Sequence, residues 1–430
     1  MTTDNSRMWQ ELGIDLKSHD VLMNALGPIY QETYLSQEDR PKGMGFFDFV
    51  VGDIHGIRVR ELTEHAKQGG KVVATYCVFV PEEIVWAAGG IPVGLCAGAQ
   101  FSVPMAEEYL PRNTCALIKS SFGFKLGRVC PYVQTSHLIV GETTCDGKKK
   151  MFELLGKYQP VYVMEVPNKK TQRSRDLWLG EVHAFKDVIE KLTRNSVSVE
   201  KLREAIGLVN ERRRALQRLQ NLRKTRPSPI SGKDALLVTQ VSFYDDVKRC
   251  TQMVNTLCDE LDERVVVGKG VAPADAPRIL VSGSPMAIPN WKLHHILETA
   301  GAIVVGEESC TGTRHFTGTV EIGNDGLDSQ IKALADRYMN IHCACFTPND
   351  ERLDDVVTLA RDLQADGVIH YNLQFCHTYA NEAVKVEDRL EKEGIPLLRI
   401  ETDYSDEDAG QLRTRIEAFL EMVKRGVRRS

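Results

Sequence analysis

An α/β fold with two parallel sheets is what this sequence predicts, and two observations predict it. Short apolar runs alternate with amphipathic segments from residue 71 onward, and a second such series comes after a block of long, charged, helix-patterned sequence. Strands separated by helical segments pair in parallel, with helices covering both faces of the sheet. Two series therefore read as two Rossmann- or flavodoxin-like domains with additional N-terminal and connecting helices.

Residues 1–60 form an N-terminal helical segment whose run Phe46-Phe47-Asp48-Phe49-Val50-Val51 packs on the adjoining part of the chain. The first α/β domain, 61–170, places strands at Lys71–Tyr76, Ile91–Leu95, His137–Gly141 and Pro160–Val166. Residues 171–262 are connecting helices. Their apolar positions Leu202, Ile206, Val209, Leu216, Leu219 and Leu222 are too short and irregular a series for a coiled coil, so they predict a helix packed on its neighbours. Within this block, the turn-forming cluster Arg226-Pro227-Ser228-Pro229-Ile230-Ser231-Gly232 marks the boundary between halves, and a further helical stretch covers about 233–262. The second α/β domain, 263–430, has strands at Arg278–Ser282, Ala302–Gly306, Gly367–Tyr371 and Pro396–Glu401 and a last helix near 409–424.

Composition narrows the function classes. At 430 residues the chain has room for roughly two or three domains, and with 42% hydrophobic residues each can bury a core. A net charge of −5 gives no electrostatic reason to expect nucleic acid or an anionic membrane as partner. No segment approaches the roughly 18–20 apolar residues of a membrane span. Met1-Thr2-Thr3-Asp4-Asn5 lacks the basic-then-apolar pattern of a signal peptide, so a cytoplasmic protein is expected. In a reducing compartment the eleven cysteines are metal ligands, catalytic thiols or core residues rather than disulfides.

Their positions say more than their number. Cys77, Cys145, Cys310 and Cys376 each fall just beyond the C-terminal end of an expected strand, the edge where open α/β sheets bind ligands. The segment Pro81-Glu82-Glu83 opens a helix after Cys77, and helix N-termini favour thiolates and anionic clusters. Val140-Gly141-Glu142-Thr143-Thr144-Cys145 is echoed by Val305-Gly306-Glu307-Glu308-Ser309-Cys310, and Gly90-Ile91-Pro92-Val93 by Gly394-Ile395-Pro396-Leu397, as though the halves were related units. The chain has no Cys-x2-Cys pair, and Cys343-Ala344-Cys345 is its one close pair. Dispersed thiols suit an iron–sulfur cluster between domains better than zinc, which stays an alternative. With no P-loop and no Gly-x-Gly-x-x-Gly after a strand, no nucleotide is expected on this chain.

At these residues the sequence resembles the 2-hydroxyacyl-CoA dehydratase and benzoyl-CoA reductase family over most of its length. The resemblance rests on Tyr76-Cys77-Val78-Phe79-Val80-Pro81-Glu82-Glu83-Ile84 with Ala87-Ala88-Gly89-Gly90-Ile91-Pro92, and on Leu110-Pro111-Arg112-Asn113-Thr114-Cys115 with Lys119-Ser120-Ser121. It continues in Thr144-Cys145-Asp146-Gly147, Cys310-Thr311-Gly312-Thr313-Arg314, Cys345-Phe346-Thr347-Pro348-Asn349 and Gln374-Phe375-Cys376-His377-Thr378-Tyr379. Ordinary subunits of that family hold one 4Fe–4S cluster, which by motif match falls to Cys77, Cys115 and Cys376.

The surplus cysteines look like those of the double-cubane branch, which implies an 8Fe–9S cluster in the cleft between domains. By that resemblance its ligands are Cys77, Cys115, Cys145, Cys310, Cys345 and Cys376, with Cys343 and Cys130 as rivals of Cys345. Cys96, Cys250 and Cys258 read as core residues. The resemblance also implies an oxygen-sensitive, homodimeric iron–sulfur oxidoreductase that reduces a small-molecule substrate. Its electrons would come from a separate ATP-hydrolysing iron–sulfur activator. The alternatives are a 2-hydroxyacyl-CoA dehydratase subunit with a single 4Fe–4S cluster and a non-enzymatic iron–sulfur electron carrier.

Glu82, His377 and Arg314 are the candidate catalytic residues, each near a cysteine and each fit to donate a proton or anchor an anion. Each also has a weightier structural reading: Glu82 as a first-turn helix residue, His377 as a hydrogen-bond donor to cluster sulfur, Arg314 as a salt-bridge partner. Lys148-Lys149-Lys150 reads as a solvated helix turn, with an acidic partner or phosphate as the alternative.

Overall fold

A computed structural model describes residues 5–95, 97–321, 323 and 326–427. All eight expected strands form, with ends within two residues of the expected ones: β1 (Val72–Thr75), β2 (Ile91–Gly94), β3 (Leu138–Glu142), β4 (Val161–Met164), β5 (Arg278–Gly283), β6 (Ile303–Glu308), β7 (Gly367–Leu373) and β8 (Leu397–Thr402). They build two four-stranded sheets, ordered β2-β1-β3-β4 and β6-β5-β7-β8, with every pairing parallel. Among the described residues no helix is long and apolar enough to cross a membrane.

Both sheets have one topology, second strand, first, third, fourth. This order corrects the reading of the internal echoes. Cys145 follows the third strand of its sheet and Cys310 the second strand of the other; the Gly-Ile-Pro segments lead β2 and β8, a second and a fourth strand. The halves are alike in topology, but the echoed hexapeptides are not equivalent positions. What they share is the local chemistry of a buried parallel strand entering or leaving its sheet.

Side-chain alternation assigns the strand faces. Val72, Ala74 and Ile139 of the first sheet and Ile279, Val281, Val304 and Ile369 of the second join one large apolar core. The opposite face of the first sheet, Val73 and Val140, packs on Trp178, Val182, Phe185 and Ile206 from the long helices Gln172–Thr193 and Val199–Leu222. Leu280, Val305 and Val368 do the same in the second sheet, against Leu353, Val356 and Leu390. β6 is an edge strand yet buried throughout, because the helix Gly232–Val241 lies along it. At Gly232 a Cβ would come within 2.4 Å of the Val304 side chain, so glycine permits that approach.

The stretch expected as one helix over 233–262 is two, Gly232–Val241 and Val247–Val266. Asp246 breaks it: its carboxylate accepts from the backbone N–H groups of Lys248 and Arg249 and caps the second helix. The intervening turn swings Phe243 onto the ring of His315, centroids 4.1 Å apart.

Candidate active site at the sheet ends

In a sheet with this strand order the chain reverses direction of growth between the first and third strands, and ligands bind beyond the strand ends there. Cys77 follows β1 and Cys145 follows β3; in the second sheet Ser284 follows β5 and Cys376 follows β7. Cys115, Cys145 and Cys376 each stand at the N-cap of a helix, Ala116–Leu126, Asp146–Leu155 and His377–Lys392 respectively. The Lys148 backbone N–H donates to Cys145 Sγ at 3.5 Å. The backbone N–H groups of Leu117 and Ile118 likewise face Cys115, and the Tyr379 backbone N–H and the Ser284 side chain face Cys376.

The thiols fall into two groups. Cys115 and Cys376 share a hydrogen bond, which holds the Cys115 thiol below its ordinary pKa and pushes Cys376 well above it, and Cys145 lies within their electrostatic reach. Cys343 and Cys345 share another, which holds Cys343 well below the usual thiol range and raises Cys345. Cys77 and Cys310 belong with that second pair. Burial pushes the Cys77 thiol up to about 12 and raises Cys310. Cys77 and Cys145 thus act electrostatically on different thiols, Cys77 with Cys310, Cys343 and Cys345, Cys145 with Cys115 and Cys376. Cys343 and Cys345 are both among the second group. Cys130 is buried beside Tyr132 against the N-terminal helices, and Cys250 and Cys258 are fully buried in the core. Cys96 lies outside the described residues.

Positive charge is supplied from two sides. Arg314 approaches Cys310 Sγ at 3.9 Å and hydrogen-bonds the Tyr379 hydroxyl, which itself lies 3.7 Å from Cys343 Sγ. The guanidinium groups of Arg314 and Arg352 lie 5.3 and 5.2 Å from the Tyr379 ring centroid. Both arginines converge on Glu308, buried at the end of β6, and Arg352 also pairs with Glu382. Lys148 acts electrostatically on both Cys77 and Cys310 and is ion-paired with the fully buried Glu142. Lys149 and Lys150 are exposed and paired with Asp146 and Glu153. The lysine run is thus a solvated turn only in part.

Of the candidate catalytic residues, Arg314 is buried within the thiol group. Glu82 is ion-paired with Arg212, behind Cys77. His377 is exposed on the first turn of its helix. Sequence reading gave Tyr379 and Glu308 no role of their own and took Lys148 only as part of a lysine run. Tyr379 and Lys148 each stand three residues after a cysteine N-cap, a spacing that could have singled them out. Glu308 gives no such signal.

Seven soft sulfur donors with two cations beside them are chemically suited to an iron–sulfur group, whose thiolate ligands carry negative charge. Among the described residues no three His, Cys, Asp or Glu side chains converge in the way one metal ion needs.

A family profile described as 2-hydroxyglutaryl-CoA dehydratase, D-component, matches residues 77–423. YjiM of Escherichia coli (strain K12), named a candidate dehydratase subunit, is 40% identical over 83% of this chain and 92% of its own. The (R)-phenyllactyl-CoA dehydratase beta subunit of Clostridium sporogenes is 26% identical over 84% and 94%, and a benzoyl-CoA reductase subunit of Thauera aromatica 22% over 84% and 93%. The chain is an enzyme component and belongs to the 2-hydroxyglutaryl-CoA dehydratase D-component family.

Proposed function

We propose that the chain is the low-potential reductase component of an ATP-dependent system, carrying a double-cubane 8Fe–9S cluster in a cleft between its two α/β domains. The observation that carries this reading is the number of thiols brought to the sheet ends in two neighbouring groups, more than the three that a single cubane takes in this family. Cys115, Cys145 and Cys376 would hold one half; Cys77, Cys310 and one or both of Cys343 and Cys345 would hold the other. When bound, the cluster supplies low-potential electrons for reducing a small molecule. The chain's own residues supply the setting. Arg314 and Lys148 offset thiolate charge, the Tyr379 hydroxyl stands within reach of Cys343, and the helix N-termini direct N–H groups at three of the sulfurs. The electrons would come from a separate ATP-hydrolysing iron–sulfur activator, and two copies of the chain would form the working dimer.

The names of the relatives favour a second reading, a 2-hydroxyacyl-CoA dehydratase subunit with one 4Fe–4S cluster. Anaerobic iron and acid-labile sulfide analysis separates the two. The double cubane requires about eight irons per chain, falling to about four in Cys310→Ser. About four irons, unchanged in Cys310→Ser, would establish the dehydratase-type subunit. Iron without turnover of any substrate, given ATP, activator and reductant, would leave an electron carrier.

A further inference from the structure

Four strands lie at sheet edges, and three of them are guarded. The helix Gly232–Val241 covers β6. β2 contains Pro92, and the Gly94 N–H donates to the Phe243 carbonyl. β8 exposes the charges of Arg399 and Glu401, and Arg415 donates to the Arg399 carbonyl. β4 is different: Val161-Tyr162-Val163-Met164 carries no charge and no proline. The carbonyls of Pro160 and Met164 accept from Ile139 and Thr143, on the β3 side. By the two-residue alternation of a strand, the N–H and C=O groups of Val161 and Val163 therefore point to the open side. Among the described residues no strand pairs with that side. Beside it lies a groove of about 520 Å³, lined by Val161 and Val163 and by Lys150 and Glu153 of the helix Asp146–Leu155.

An apolar, unguarded edge is a template for another strand, and the flanking helix says which strand fits. That helix packs on both β3 and β4. A Cβ at Gly141 would meet the Phe152 ring at 2.5 Å, and Gly141 pairs with Val163, so the middle of the helix stands level with β4. A two-fold axis through Tyr162 would set Val161 opposite Val163 of the other copy, an antiparallel register in which the two exchange N–H and C=O bonds. With strands about 4.8 Å apart, two helices so seated stand about 10 Å apart, the distance at which helices pack. Lys150 and Glu153 are exposed and one turn apart, so across antiparallel helices each would face the opposite charge of the other copy. The surface is self-complementary, as a two-fold contact requires. We propose that the β4 edge and the helix Asp146–Leu155 form the surface on which a second copy of this chain docks, joining two four-stranded sheets across the axis. This gives the proposed dimer its contact and rests on that part of the functional reading alone, not on the cluster. Cys145 caps the same helix, so the contact braces one wall of the thiol site.

Sedimentation equilibrium of the intact protein under anaerobic conditions gives the dimer dissociation constant. Lys150→Glu and Glu153→Lys, each alone, place like charges across the axis twice and should weaken the dimer by about tenfold. An equimolar mixture of the two variants should regain wild-type affinity as a heterodimer, because opposite charges then meet at both contacts. Val163→Pro removes one outward N–H, leaves the β3 pairing intact and should weaken the dimer by about a hundredfold. Hydrogen–deuterium exchange of residues 161–164 should slow as the wild-type concentration rises. A dimer whose 161–164 amides stay unprotected, or whose affinity is unchanged in all three variants, would place the contact elsewhere and overturn the proposal. So would single variants that the mixture fails to rescue, since the charges would then act within one chain. A chain monomeric at every concentration would overturn both this surface and the dimer of the proposed function, whereas iron content decides the cluster separately.

Discussion

Glu308 is the residue whose loss should disturb the site most for its size. Its carboxylate accepts from Arg314 Nε at 2.7 Å, Arg352 Nη2 at 2.9 Å and Ser282 Oγ at 2.7 Å, and it is 3% exposed, so bulk water cannot take over. Burial alone would raise its pKa, but the two arginines hold it below the ordinary carboxylate value. Glu308→Gln keeps the shape, removes the charge and turns one acceptor into a donor facing guanidinium. Breaking a buried pair in this way costs about 3–5 kcal/mol. With an unfolding entropy of about 2.1 cal/mol/K per residue, a chain of this length loses roughly 1 °C of thermal midpoint per kcal/mol, so the variant should melt about 3–6 °C lower. The assay is differential scanning calorimetry of the metal-free protein under anaerobic reducing conditions. A companion measurement tracks alkylation of Cys310, which should change because Arg314 loses its anchor. A shift under about 1 °C would refute the claim that Glu308 is the counter-charge on which both arginines depend.

Two further outcomes rest on buried groups elsewhere in the chain. Burial, and then the neighbouring His19, hold the His55 imidazole at about 3, whereas an unfolded chain's histidine titrates near 6.5. The folded value is the lower one, so this contribution is complete above about pH 6.5 and is lost as pH falls toward 3, by up to about 1.4 kcal/mol per unit. Urea midpoints measured from pH 7 to pH 4 should decline with that added slope, and His55→Gln should flatten it. Gly283 ends β5 at φ +130°, and a Cβ there would lie 2.1 Å from the Tyr371 carbonyl oxygen. Gly283→Ala should cost about 2 kcal/mol or more in thermal unfolding and, on the iron–sulfur reading proposed above, reduce iron uptake, because the adjacent Ser284 side chain faces Cys376; unchanged iron content would mean that the loop adapts.

Much of this architecture was written in short-range pattern. Eight strands announced themselves because each is a short apolar run bounded by turn formers and succeeded by helical periodicity, and a buried parallel strand needs little else. The break at Asp246 was harder to read, because the flanking segments share helical periodicity and a single carboxylate cap interrupts them.

For the thiols, sequence determined which cysteines sit at strand ends, since that is a matter of local spacing. It determined the soft donor chemistry as well. Only the tertiary structure decided which of them act on one another: Cys77 is 233 residues from Cys310 yet lies within its electrostatic reach and within that of Cys343 and Cys345. Packing of two sheets through one core decides which strand ends meet, and no spacing along a chain encodes that. The same packing decided the fate of charge. Lys148 and Lys149 are neighbours of like type, but the helix turns about 100° between them, so one faces buried Glu142 and the other faces water. The fold likewise buries Arg212, Arg213 and Arg337, and desolvation is a property of the enclosure rather than of the residues.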